Sequence, residues 1–122
     1  MTHEVVFDSA RHPEGEMVGL ASGYISLTNI RFVKEEITVQ IEAKTGEVKL
    51  LNPEGEVLSS AKVDVPTYGD EKFSEVKCLV ESGQLKLGFP QYGYEDHYPN
   101  CDGEHDRWTK YIKDISYLCF TI

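Results

Sequence analysis

Residues 37–56 read ITVQIEAKTGEVKLLNPEGE, and this stretch decides the fold class. From Ile37 to Lys44 the chain alternates: Ile37, Val39, Ile41 and Ala43 fall on one face, Thr38, Gln40, Glu42 and Lys44 on the other. A period of two marks a strand with one face in a core and the other in water. Lys44-Thr45-Gly46-Glu47 then predicts a tight hairpin turn, because glycine reaches positive φ without steric cost. The return strand, Val48 to Leu51, ends at Asn52-Pro53-Glu54-Gly55, where proline presets the second turn position and glycine suits the fourth. A third strand, from Val57 to Val65, completes an antiparallel meander.

The pattern continues on both sides. Phe73 to Glu81 alternates, with Val76, Cys78 and Val80 on one face; Ser82-Gly83 turns the chain, and Gln84 to Phe89 returns. Upstream, Glu4 to Asp8 and Tyr24 to Val33 are strand-like, separated by an Arg11-His12-Pro13-Glu14-Gly15 loop. At the other end, Ile115 to Ile122 is rich in β-formers and carries apolar groups on both faces, as a central strand does. One short helix is expected near 106–114. There Trp108, Ile112 and Ile115 fall at helical spacing, and Asp106 suits the first cap. The expected fold is therefore all-β: an antiparallel two-sheet sandwich, immunoglobulin-like, of seven to eight short strands with one long loop. A single domain is expected over 1–122, with no linker, repeat or low-complexity tract.

Composition narrows the partners. The chain has 122 residues, 40% hydrophobic and 27% charged, which is ordinary for a globular domain. Its formal charge is −9 at pH 7. Phosphate backbones and anionic membranes repel such a surface, so neither a nucleic-acid polymer nor a membrane is an expected partner. The charge does suit solubility, or an encounter with a basic protein. The first residues lack a basic start followed by an apolar run, and no apolar stretch approaches membrane-spanning length. Cys78, Cys101 and Cys119 are odd in number and unpatterned, as reduced thiols are. A cytoplasmic location is the resulting expectation.

Between two strand-like regions lies YGYEDHYPNCDGEHDRW, residues 92–108. Pro99-Asn100 and Asp102-Gly103 are turn signals that speak against one regular element, so a long loop is expected here. Long loops in small domains, when ordered, usually carry function. Phe89, Tyr92, Tyr94, Tyr98 and Trp108 offer stacking faces, Asn100 both donates and accepts, and Arg107 presents a planar fork for phosphate or carboxylate. Aromatic faces beside an amide and an arginine suit a base, a sugar or a nucleotide. The same aromatics would equally serve to cover the open end of a sandwich, and Phe89 and Trp108 would equally serve as core. Arg11 and His12 form a second small polar loop, which could share an anion with Arg107 if the fold joins them.

Other chemistries have weaker support. His97, Cys101 and His105 have the ligand types of a zinc site, but form one cluster, not the usual two knuckles. Asp102, Glu104 and Asp106 resemble the start of a calcium loop, yet Arg107 and Lys113 stand where glycine and a carboxylate are needed. There is no Gly-x-Ser-x-Gly, no phosphate-cradling glycine loop and no dinucleotide fingerprint. No cofactor is expected, zinc being the one alternative.

Three readings follow. The first is a non-enzymatic protein that captures a small polar ligand, nucleotide-like or another metabolite, through loop 89–108, with a homodimer as a natural way to enlarge the site. By class alone, without an aligned motif, phage anti-defence sponges that sequester a signalling nucleotide act in this way. The second is an acidic inhibitor, an immunity or anti-defence protein or nucleic-acid mimic, whose Glu95, Asp96, Asp102, Glu104 and Asp106 block a basic partner. The third is a small zinc domain or weak hydrolase on His97, Cys101 and His105.

Overall fold

The computed structural model describes residues 2–20, 27–63, 74–97 and 107–122, with side chains left out at 94–97 and 107–110. Nine strands and no helix are found among these residues. The strands are β1 (His3–Phe7), β2 (Glu16–Gly19), β3 (Leu27–Phe32), β4 (Ile37–Glu42), β5 (Glu47–Leu51), β6 (Val57–Lys62), β7 (Glu75–Glu81), β8 (Gln84–His97) and β9 (Arg107–Thr121). They make a five-stranded sheet, β1-β3-β4-β5-β6, and a four-stranded sheet, β2-β7-β8-β9.

The meander forms as its alternation requires. Val39 pairs with Leu50 and Ile41 with Val48, so the apolar sets of β4 and β5 share one face. All four are buried. The turn after β4 is one residue earlier than expected: the strand ends at Glu42, and Gly46 takes φ 77° and donates its N–H to the Glu42 carbonyl at 2.9 Å. Ala43 is consequently a buried turn residue. At the next turn Gly55 N–H donates to the Asn52 carbonyl at 2.9 Å, the bond that proline at the second position prepares. Ser82 and Gly83 have φ of 52° and 74°, the pair of positive values that a two-residue type I′ hairpin needs.

Phe7, Ile30, Phe32, Val39, Ile41, Val48 and Leu50 from the first sheet meet Val18, Val76, Cys78, Leu85, Leu87, Phe89 and Phe120 from the second in one core cluster. This face-to-face burial is that of an all-β sandwich. No helix among the described residues is long and apolar enough to cross a membrane.

Four expectations need correction. The pairing is not wholly antiparallel: β1 runs parallel to β3, with His3 opposite Thr28 and Phe7 opposite Phe32. The chain leaves β1 for β2 in the other sheet and returns in its original direction. That crossing strand, β2, carried no alternation long enough to be read. The helix near 106–114 is absent from 107 onward, where β9 begins. Trp108, Ile112 and Ile115 fit helical spacing, but the cross-strand pairing with β8 prevails. Likewise the long loop shrinks, because β8 reaches His97. Finally, β9 is an edge strand, not a central one. Ile112 and Tyr117, on its outer face, are 44% and 47% exposed, and Tyr111, on the other face beyond the core, is 42% exposed, so apolar groups of both faces meet solvent.

Candidate functional site

The described pairing of β7 with β8 reaches Lys77 opposite Gly88, whereas the β8–β9 ladder continues to His97 opposite Arg107. A bulge between Gln91 and Tyr92 shifts the register, so that Asp114 faces Gln91 but Ile112 faces Tyr92. Bulges re-aim side chains where they occur. Here, at the start of β7, a groove of about 420 Å³ is bordered by Gly19, Ser74, Glu75, Tyr92, Tyr111 and Ile112.

Polar groups converge on one side of this groove. The Tyr92 hydroxyl donates to Glu75 Oε1 at 2.6 Å and lies 3.4 Å from Ser74 Oγ. Register places Glu75 opposite Gly19 on β2, while the Leu20 N–H donates to the Ser74 carbonyl at 2.9 Å. A carboxylate and two hydroxyls thus stand beside a ring and an aliphatic side chain. Tyr111 is laid across Gly93: a Cβ at that glycine would come within 2.5 Å of the tyrosine Cζ. Tyr117 similarly covers Gly88, where a Cβ would meet its Cε1 at 2.9 Å and Ile115 Cγ2 at 2.7 Å. Glycine opposite tyrosine lets each ring lie flat on the neighbouring strand.

The expected ligand-binding residues fare unequally. Phe89 is 4% exposed and belongs to the core, so it offers no stacking face. It occupies the same inward register as Leu85 and Leu87, an alternation that β8 carries on. Tyr92 reaches the groove. Tyr94, Arg107 and Trp108 are placed by backbone alone, opposite Lys110, His97 and Asp96. Tyr98 and Asn100 lie outside the described residues, as do Cys101 and His105. His97 closes β8. Among the described residues no group of three His, Cys, Asp or Glu side chains could hold a metal.

Arg11 and His12 go elsewhere. They precede β2, at the opposite edge of the second sheet from β9. Arg11 approaches Asp8 at 3.9 Å, and His12 stacks on Phe7 and stands 3.4 Å from Glu16. Of the two described cysteines, Cys119 is exposed and Cys78 is fully buried. Burial, with a smaller contribution from the Glu16 carboxylate, pushes the Cys78 thiol up to about 12.

Sequence reading missed Ser74, Glu75, Tyr111 and Ile112. Glu75 looked like an ordinary solvent-facing position of an alternating strand. Tyr111 and Ile112 fell inside the expected helix; the alternation from Phe89 onward, read past Pro90, was the available signal for a longer hairpin. Comparison with family models, curated proteins and solved structures finds no significant match to this chain.

Proposed function

We propose that the chain is a non-enzymatic binding protein that captures a small, flat polar ligand at the base of the β8–β9 hairpin, on an immunoglobulin-like sandwich scaffold. The observation that supports it is the groove itself, which sets Glu75, Ser74 and the Tyr92 hydroxyl beside the exposed ring of Tyr111. Convergent polar groups beside an aromatic face are what fixes a small ligand's orientation. Acceptors dominate, so a sugar hydroxyl or a base amine is the part of a ligand that suits this end. In a nucleotide-like ligand the phosphate would turn toward Arg107, the cation nominated for it by sequence. Arg107 is five residues from Ile112 along β9, roughly 17 Å at strand rise, so only an extended ligand engages both.

Nucleosides, nucleotides and monosaccharides at millimolar concentration test this in a thermal-shift screen. At least one should raise the melting temperature of the wild type, with the shift reduced in Tyr111→Ala and Glu75→Gln. No shift from any of them sinks the reading. The −9 charge favours a second reading, an acidic inhibitor of a basic protein, in the cytoplasm and with or without a homodimer. Native mass spectrometry separates the two, because a retained small molecule departs on denaturation with its own mass, whereas the second reading leaves an apo chain.

A further inference from the structure

A second cavity, unrelated to the groove, lies between the two sheets. It measures about 780 Å³ and is lined by Glu35, Ile37, Leu50, Leu58, Ser59, Gly83, Phe120, Thr121 and Ile122. Its walls come from β4, β5 and the edge strand β6 of one sheet, from the edge strand β9 of the other, and from the β3–β4 and β7–β8 turns. Two core residues, Leu50 and Phe120, form part of it, and Leu58 and Ile122 stand 55% and 42% exposed at its rim. The volume falls in the range of small-molecule sites.

Ser59 and Thr121 add hydroxyl-bearing residues to this lining, and Glu35 is its one charged residue among the described residues. Glu35 Oε1 accepts a hydrogen bond from Ser9 Oγ at 2.5 Å. Its other oxygen, Oε2, is buried and has no hydrogen-bond partner among the described residues. A buried acceptor left without a donor is costly, and a charged one more so. Oε2 has no surface open to the cavity in this structure, so an occupant reaches it once the Glu35 carboxylate turns about its terminal torsion, which is broad for a carboxylate. We infer that this cavity binds a small amphipathic molecule with an apolar body and a cationic hydrogen-bond-donating head, an alkyl ammonium in chemical class, whose head meets Glu35. The head satisfies the orphan oxygen and neutralises its charge; the tail covers Leu50, Leu58, Phe120 and Ile122. An alkyl carboxylate of the same length meets Glu35 with like charge, and an alkyl alcohol brings a donor without the charge.

Octylamine, octanoate and octanol are the probes, titrated into the isotope-labelled full chain and followed by backbone amide shifts. Octylamine should move the amides of Ile37, Leu58, Gly83, Phe120 and Ile122 with saturation, and octanoate should bind at least tenfold more weakly. Glu35→Gln should weaken octylamine by tenfold or more while leaving octanol unchanged. Leu58→Trp, at an exposed position, should fill the cavity and abolish all binding with the sheet spectrum intact. The inference is overturned if octylamine shifts no cavity amides at millimolar concentration. It is equally overturned if octanoate matches octylamine, or if a folded Glu35→Gln binds octylamine as the wild type does. Because the groove residues take no part, failure here leaves the proposed groove untouched.

Discussion

Gly88 has no room for a side chain. A Cβ there meets Ile115 Cγ2 at 2.7 Å, Tyr117 Cε1 at 2.9 Å and Lys77 Cβ at 3.3 Å. Gly88→Ala should therefore lower stability by roughly 1–3 kcal/mol in denaturant unfolding, and adding Tyr117→Ala should recover part of the loss. Cys78 makes a separate prediction. Its thiol stays protonated in the folded chain up to about 12, whereas the unfolded thiol ionises near its ordinary 9.0. Above pH 9 the unfolded state thus binds fewer protons, so this stabilising contribution is complete below 9 and is lost as pH rises from 9 toward 12. The slope is on the order of 1 kcal/mol per pH unit. Comparing wild type with Cys78→Ala over that window isolates it. Peptide mapping after native alkylation at pH 8 should find Cys119 modified and Cys78 protected. None of this was visible in sequence: Cys78 read only as one inward position of a strand, and Gly88 as part of a return strand, because their contacts come from other strands.

At the scale of elements, the β7–β8 hairpin is the most revealing. Its turn needs positive φ at both Ser82 and Gly83, and serine adopts that region less readily than asparagine. Ser82→Asn should stabilise the chain by a few tenths to about 1 kcal/mol, measured as a rise in the denaturation midpoint at unchanged m-value. The turn was legible because two residues and their flanking alternation specify it. What followed was not. Past Phe89 the sequence brings Pro90, then turn-rich signals, and the helical spacing of Trp108, Ile112 and Ile115 competes with strand alternation. Pairing settles it: the ladder from Gln84 opposite Thr121 to His97 opposite Arg107 satisfies the backbone of both segments at once. Pro90, which has no N–H to donate, comes after the described β7–β8 pairing has ended at Gly88, where β8 is paired on one side only among the described residues.

For the whole molecule, the charge of −9 supplies the prediction. If the chain inhibits a basic protein, neutralising Glu95, Asp96, Asp102, Glu104 and Asp106 together should slow association at least tenfold at low salt, with little change in dissociation. Stopped-flow measurement at two ionic strengths checks it, and an unchanged on-rate removes the inhibitor reading. What the amino-acid sequence determined by itself was the all-β class, the three-strand meander that starts at Ile37 and the turns at Gly46, Gly55 and Ser82-Gly83. Those depend on alternation and local turn chemistry, which act over a few neighbouring residues. Only the tertiary structure decided that β1 runs parallel to β3, that β9 lies at an edge, and that Phe89 is core. It alone joined Glu75 to Tyr92 and Tyr111, and set Glu35 in a cavity with Leu58 and Ile122. Each of these is a meeting of residues far apart in the chain, and its free energy comes from pairing within sheets and packing between them, which no local pattern encodes.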